Sequence, residues 1–228
     1  MLALGILVAA AGAAVPRGSN IERGAKPGIG SPAATALREA LDRLQLSDAL
    51  ADYGERNGDP VALIQAAKIR KTLPPELTNS GVGSQVTAAG RTAETLLTRA
   101  AQIGGSNVTL TALIADARKS RDRDIPTIAA GAWLLTKVVK ARAADRAEVN
   151  FKAGEPALVY VHTDLSADLD LFVYDEYNNL ICADEASGQE SQCRWRPRWN
   201  GSYLVDVRNK NEVEVSYELA INSQIKAR

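Results

Sequence analysis

Length, composition and charge already limit what this chain can be. It has 228 residues, 46% of them hydrophobic, which is enough to bury one large core or two modest ones. Lys plus Arg number 27, as do Asp plus Glu, so no bulk charge draws the protein to nucleic acid or to an acidic membrane surface. With two cysteines and one histidine, the chain cannot form a structural zinc site, whose four ligands are nearly all Cys or His.

The chain opens with an apolar run over residues 1–14 that has the length of a signal peptide and ends in small residues. The positive segment that usually precedes such a run is missing, so a non-exported apolar N-terminus is the alternative. The run is shorter than the ~20 apolar residues needed to cross a bilayer, and we expect export with no transmembrane anchor in the mature form. Residues 15–30, rich in Gly, Pro and charge, are predicted to form a flexible linker.

Helical periodicity dominates residues 31–146. Ser31-Pro32 and Asp59-Pro60 are typical helix starts, because the first residue can accept from free amides and proline suits the first turn. Apolar spacing predicts about five helices, the last of which begins at Ile125-Pro126 and carries Trp133 on its apolar side. Many alanines and short connections favour a small all-α bundle.

From Glu148 onward the apolar period changes to two, the period of half-buried strands. Residues 169–175 and 203–208 show it most clearly, and the Asn-rich turn 176–179 suits a hairpin. Short strands separated by turns predict an antiparallel β-sandwich over residues 148–224. The predicted fold class is therefore α+β with two domains, a helical bundle followed by a sandwich.

The two cysteines, Cys182 and Cys193, lie on neighbouring predicted strands, at positions whose side chains are expected to point inward. In a cytosolic protein they would most often be reduced, buried thiols, whereas in an exported protein the pair indicates a disulfide. Export and the bond support each other, and closing so short a loop would contribute about 2–3 kcal/mol.

Three acidic residues around one hairpin, Asp168, Asp170 and Asp175, are candidate metal ligands. Calcium takes six to eight oxygen ligands, which carboxylates of adjacent loops can supply. The alternative is structural, because an exposed sheet face is polar anyway and Asp at a strand end often binds its own turn. We predict no cofactor and keep calcium as a hypothesis. Paired carboxylates could also serve a hydrolase, but no catalytic motif surrounds them.

A candidate binding surface lies in one short stretch and consists of Arg194, Arg196, Arg198 and Trp199. The arginines occupy alternate positions, so their side chains would lie on the same face of a strand. This spacing predicts a row of guanidinium groups beside an indole ring, which could hold an anionic polymer. The alternative is that they pair across strands with Asp206 and Glu214.

The single histidine, His162, has no neighbouring motif and is predicted to lie on the surface of a strand. No catalytic triad is predicted around it. In the last strand, Glu218 is expected to face water.

Several motifs occur in order between residues 148 and 222: 151–155, 168–175, 179–181, 193–195, 201–209 and 215–219. Together they resemble the bacterial pre-peptidase C-terminal domain family. The resemblance implies a jelly-roll-like sandwich in a secreted or periplasmic protein, usually attached to a peptidase. In that family the domain is thought to aid secretion, localisation or substrate binding, and some members bind calcium or an extracellular polymer. No peptidase precedes the sandwich here, so the resemblance implies a compartment and a non-catalytic role.

The predicted function is that of an exported, non-enzymatic binding or accessory protein, periplasmic or secreted in a bacterium. Its sandwich would bind a protein partner or a component of the envelope or extracellular space. The first alternative is an accessory or inhibitory partner of a secreted hydrolase or peptidase. The second is a carboxylate-dependent hydrolase. No nucleic-acid partner is predicted.

Overall fold

The computed structural model describes residues 18–22, 32–74, 91–120, 133–163 and 167–225. In these ranges four helices precede nine strands. The helices are α1 (Pro32–Asn57), α2 (Pro60–Arg70), α3 (Ala93–Gly104) and α4 (Val108–Lys119). The strands are β1 (Trp133–Val139), β2 (Ala144–Phe151), β3 (Ala157–Thr163), β4 (Leu169–Asp175), β5 (Leu180–Asp184), β6 (Glu190–Trp195), β7 (Gly201–Asn209), β8 (Val215–Ile221) and β9 (Gln224–Ile225).

Local side-chain chemistry explains where the shorter helices begin. Asp59 precedes α2 and accepts from the backbone N–H of Val61 at 2.8 Å, with Pro60 as the first helical residue. Thr92 caps α3 and Asn107 caps α4 in the same way. Each cap satisfies an amide that has no partner inside the helix.

The strands form two antiparallel sheets. One has the order β1-β8-β3-β6 and the other β5-β4-β7-β2-β9. Alternate side chains of both sheets point inward and form one apolar core, in which Val159, Leu171, Val205 and Leu219 are almost completely buried. The predicted pair of antiparallel sheets is therefore present.

The helices cover the outer face of the four-stranded sheet. All seven residues of β3 are buried, because its two faces meet two different layers. Val159 belongs to the core between the sheets, whereas Leu158 and Tyr160 pack against Leu41 and Leu44 of α1. A third apolar cluster joins the four helices to one another. The order of layers is helices, four-stranded sheet, five-stranded sheet.

The prediction of a fifth helix is wrong from residue 133 on, and its first part, residues 125–132, lies outside the described residues. Residues 133–139 and 144–151 are β1 and β2, so the sheets begin before Glu148. In β1 Leu134 packs toward the helices and Val139 belongs to the core between the sheets. A strand that is apolar on both faces lacks the alternation that distinguishes it from a buried helix.

The N-terminal predictions fall only partly within the described residues. The signal-peptide-like segment 1–14 lies outside them. The linker prediction is wrong for residues 18–22, which are packed against the sandwich with Asn20 buried and Ile21 against the apolar core. The Gly-rich composition gave no sign of this, because the contacts come from only three residues, Asn20, Ile21 and Glu22. No helix of the described chain is both long and apolar enough to cross a membrane.

Candidate functional site

Cys182 of β5 and Cys193 of β6 are joined by a disulfide, with their Cα atoms 5.8 Å apart. The two strands are edge strands of different sheets, so the bond connects one sheet to the other. This is the pairing that the sequence predicted. Both cysteines contact the apolar core, as expected for side chains that point inward from their strands.

The three predicted calcium ligands do not converge on one point. Asp168 and Asp170 lie at the start of β4 and Asp175 at its end, and five residues of strand span about 17 Å. Asp170 forms an ion pair with Lys210 at 2.5 Å. Asp175 binds its own turn, accepting from the backbone N–H and the side-chain amide of Asn179, both at 2.9 Å. Burial alone would raise the pKa of Asp175, but these bonds outweigh it and hold the pKa below its ordinary value.

The predicted arginine–tryptophan surface is divided between two places. Arg194 faces the helices, 3.5 Å from the carboxylate of Asp42 in α1. Arg198 and Trp199 instead donate their backbone N–H groups to the side-chain oxygen of Asn20, at 2.9 and 3.1 Å. Arg196 also lies beside the N-terminal segment, where its backbone oxygen accepts from Glu22. Asp206, one of the partners predicted for these arginines, binds Arg146 and Arg208 instead.

A group of polar and charged side chains lies between the helices and the four-stranded sheet, and none of these side chains is more than 9% exposed. We call it the buried charge network. Its members are Asp48 and Asp52 of α1, Arg70 of α2, Arg91, Tyr160 and His162 of β3, and Glu218 of β8. Helical spacing places the two aspartates on one face of α1, and sheet register places His162 opposite Glu218.

Arg70 connects the helical layer to the sheet. Its Nη2 donates both to Asp48 Oδ1 and to Glu218 Oε2, the latter at 2.8 Å. The hydroxyl of Tyr160 donates to the second oxygen of Asp48 at 3.1 Å. Burial alone would lower the pKa of Arg70, but the charges of Glu218 and Asp48 raise it above its ordinary value. The guanidinium is therefore permanently charged and paired on both sides.

His162 and Asp52 form the second part of the network. The imidazole Nε2 lies 3.1 Å from Asp52 Oδ2, and Arg91 Nη1 lies 2.9 Å from the other oxygen. Burial alone would lower the pKa of His162, but the bond to Asp52 and the charge of Asp48 outweigh it and raise the pKa. Burial alone would raise the pKa of Asp52, yet the bond to His162 and the charge of Arg91 lower it. Three carboxylates thus face two guanidinium groups and one imidazole.

Two predictions about these residues are wrong. His162 and Glu218 were expected on a wet strand surface, but they are only 1% and 6% exposed. The helices cover the sheet face on which they lie, and nothing in either strand shows that this face is covered. The sequence signal that remains is the pair Asp48 and Asp52, two acidic residues on a helix face that also carries buried leucines.

Within the described chain, Asp48, His162 and Glu218 are the group whose ligand atoms could hold a metal, all lying within 4.8 Å of one another. The Nη2 atom of Arg70 already bridges Asp48 and Glu218 there. A guanidinium thus fills the position in which a cation would bind. The arrangement fits an ion-pair connection between layers better than a metal centre.

The outer face of the five-stranded sheet carries a second polar group, which we call the aromatic–arginine face: Arg146, Phe172, Tyr174, Asp206 and Arg208. The Asp206 side chain is 2% exposed and accepts from Arg146 at 3.2 Å and from Arg208 at 2.8 Å. The guanidinium carbon of Arg208 lies 4.0 Å from the ring centre of Phe172, and Nη2 also donates to the Tyr174 hydroxyl at 3.1 Å. The side chains of Arg146 and Arg208 are still 58% and 38% exposed. Two accessible guanidinium groups are thus fixed by one buried carboxylate.

The chain was compared with known proteins in three ways. No protein-family model matches it, and no curated protein does either. Among solved structures it is similar to a periplasmic inhibitor of g-type lysozyme from Aeromonas hydrophila, with 16% identity over 41% of this chain and 87% of the other and a TM-score of 0.32. It is similar to the mitogen of Yersinia pseudotuberculosis, with 11% identity over 42% of this chain and 89% of the other and a TM-score of 0.33. It is also similar to the pre-peptidase C-terminal domain of a Bacillus anthracis collagenase, with 17% identity over 40% of this chain and 87% of that domain and a TM-score of 0.30.

Proposed function

We propose that this chain is an exported, non-enzymatic binding or accessory protein whose binding surface is the aromatic–arginine face. The observation that supports this most is the difference between the two outer sheet faces. The helices cover the four-stranded sheet, and the buried charge network fastens them there. The five-stranded sheet presents accessible arginines that are already held in place.

The chemistry of the face favours an anionic partner group. Among Arg146, Arg208 and Asp206, two guanidinium groups face one carboxylate. Guanidinium groups bind carboxylate and phosphate through their N–H donors. In Arg208 the Nε and Nη2 donors are already used by Asp206 and Tyr174. Because Asp206 already fixes Arg208, little side-chain freedom is lost on binding. A protein or envelope polymer that carries such groups is the partner we propose.

Export rests on the disulfide and on the apolar run at the start of the sequence. A disulfide persists in an oxidising compartment such as the periplasm or the extracellular space. Cys182 and Cys193 are bonded, and this supports placement in one of those compartments.

We also infer that the sandwich is jelly-roll-like. Hydrogen bonds pair β1 with β8, β2 with β7, β3 with β6 and β4 with β5, a nested pairing that is typical of the eight-stranded jelly roll. Residues 168–175 and 201–209, two of the motifs that resemble the pre-peptidase C-terminal domain family, span β4 and β7. Membership of that family is part of this proposal.

The proposal can be tested by affinity capture with the whole chain as bait. Wild type, the double variant Arg146→Ala/Arg208→Ala and the control Arg118→Ala would each be immobilised and exposed to periplasmic extract. Arg118 is a matched control because it is 46% exposed and pairs with Glu94 on the helical side. We expect a component that wild type and the control retain, that the double variant loses and that added salt weakens. Equal retention by all three baits, or by none, would count against the face.

A finer proposal is that the partner is a secreted hydrolase that this chain assists or inhibits. The test is to measure the rate of a captured hydrolase with and without added chain. A changed rate supports the accessory or inhibitory role, and an unchanged rate supports simple binding.

No observation favours a carboxylate-dependent hydrolase, since Asp52, Asp206 and Glu218 are buried and bound to arginines.

A further inference from the structure

Residues 18–22 occupy a pocket at one end of the sandwich. Asn20 at its centre is completely buried. The groups that contact Asn20 come from the end of β4, the turn before β7 and β7 itself, and we call this set the Asn20 pocket: Asp175, Glu176, Arg198, Trp199, Gly201 and Tyr203. Each hydrogen bond to Asn20 joins residues 155 or more positions apart. The segment therefore contacts the sandwich as a separate peptide would.

The pocket distinguishes the two ends of the asparagine amide. The side-chain oxygen accepts from two consecutive backbone N–H groups, those of Arg198 and Trp199, at 2.9 and 3.1 Å. The side-chain nitrogen donates to the backbone oxygen of Trp199 at 3.2 Å and lies 3.5 Å from a carboxylate oxygen of Glu176. An aspartate would place its second oxygen against those two acceptors, and a glutamine would be one methylene too long. The donor and acceptor pattern is therefore selective for asparagine.

The backbone on either side is also bound. The N–H of Asn20 donates to Asp175 at 2.9 Å, and its carbonyl oxygen accepts from the Tyr203 hydroxyl at 2.7 Å. Two residues later, the N–H of Glu22 donates to the backbone oxygen of Arg196 at 2.9 Å, and the Glu22 carboxylate lies 3.7 Å from the Arg196 side chain. Main-chain bonds combined with side-chain recognition are the usual means by which a fold binds an extended peptide.

Some bonds between residues of the pocket walls do not involve the segment. The indole N–H of Trp199 donates to Glu176 at 2.5 Å, and Asp175 is fixed by its bonds to Asn179. The space for the asparagine exists because residue 201 is glycine. A Cβ there would lie 2.7 Å from the Asn20 side-chain nitrogen and 2.9 Å from a carboxylate oxygen of Glu176, so these side chains would have to move.

We propose that the Asn20 pocket is a peptide-binding site for a segment of the form asparagine, apolar residue, glutamate, which this chain fills with its own Asn20-Ile21-Glu22. The site lies apart from the aromatic–arginine face and does not depend on the function proposed for that face. When Asn20 is removed from the chain, the same segment supplied as a free peptide binds in trans.

The test measures binding of a fluorescein-labelled peptide with the sequence of residues 17–24 to the full chain by fluorescence anisotropy. We expect the variant Asn20→Ala to bind the peptide at least tenfold more tightly than wild type, whose pocket is filled. A peptide with aspartate in place of the asparagine should bind Asn20→Ala at least tenfold more weakly. The double variant Asn20→Ala/Gly201→Ala, whose pocket is blocked, should bind neither peptide. Equal affinities for the two peptides, or equal affinities of wild type and Asn20→Ala, would overturn the proposal.

A second measurement covers the possibility that Asn20→Ala fails to fold. The variant Gly201→Ala keeps the whole segment but adds a Cβ that crowds the Asn20 and Glu176 side chains. We expect the segment to leave the pocket, so that a glutamyl endopeptidase cuts after Glu22 at least tenfold faster than in wild type. Serine at position 201 adds the same Cβ and should give the same result. Unchanged cleavage in both variants would contradict the proposed site.

Discussion

Replacing Arg70 by methionine tests the buried charge network most directly. The Arg70 side chain is 5% exposed and pairs with Asp48 and Glu218, whose side chains are 0% and 8% exposed. The substitution leaves two carboxylates without their shared counter-charge in a place that water does not reach. Breaking a buried pair in this way costs about 3–5 kcal/mol, a large share of the ~5–15 kcal/mol that stabilises a typical protein.

A matched substitution on the surface separates burial from the loss of an arginine. Arg99 also lies on a helix and pairs with a glutamate, Glu55, but the two side chains are 47% and 22% exposed. The variant Arg99→Met should therefore lose only about 0–1 kcal/mol. Both changes remove one guanidinium and add the same side chain, so the difference in free energy of unfolding reports the burial of the pair.

The assay is urea unfolding of the oxidised chain, followed by circular dichroism. A third variant, Arg70→Met with Glu218→Met, removes one charge of each sign, leaves Asp48 with its Tyr160 donor and should recover part of the lost stability. If Arg70→Met cost no more than Arg99→Met, the network would not fasten the helices to the sheet. If this double variant were less stable than Arg70→Met, the unpaired Glu218 carboxylate would not be the cause of the loss.

Three further predictions concern neighbouring groups. Folding raises the pKa of His162 above 6.5 and lowers that of Asp52 below 3.8. The stability that His162 contributes is therefore present below pH 6.5 and is lost as the pH rises through its folded pKa. The stability that Asp52 contributes is present above pH 3.8 and is lost as the pH falls through its folded pKa. The variant His162→Gln should therefore lose the decline on the alkaline side in urea titrations from about pH 5 to 9; a decline that persists would place its origin elsewhere. The change Cys182→Ser opens a loop of sequence separation 11 and should cost about 2–3 kcal/mol under oxidising conditions and little under reduction; equal loss in both would mean that the thiols act by packing. Removing the hydroxyl in Tyr160→Phe takes one donor from the buried Asp48 carboxylate and should cost about 1–3 kcal/mol by chemical denaturation, and a neutral effect would show that this donor is dispensable.

The strands that the sequence predicted most clearly are those in which apolar and polar residues alternate. In β7 the buried residues Tyr203, Val205 and Val207 alternate with more polar positions, and that alternation identifies a strand. In β1 and β3 both faces meet apolar layers, so the alternation is lost. The sequence predicted β3 because its run is short and rich in β-branched residues, but it assigned β1 to a helix.

The buried charge network could not be predicted because its members come from distant parts of the chain. His162 and Asp52 are 110 positions apart, and Arg70 and Glu218 are 148 apart. Each residue alone has an ordinary explanation, a charged helix position or a polar strand position. The disulfide was predictable because the chain has only two cysteines, so each has only one possible partner. An arginine, in contrast, could pair with any of many carboxylates.

The network also bears on whether the helices and the sandwich could be studied apart. Without the helices, the outer face of the four-stranded sheet would expose Leu158 and Tyr160 and would leave Glu218 without Arg70. Without the sandwich, Asp48 would lose its tyrosine donor and Asp52 its imidazole partner. Each part would expose apolar surface and unpaired charge that the other now covers. We therefore expect the two parts to unfold in a single transition, and separate transitions detected at β3 and at α1 would contradict that expectation.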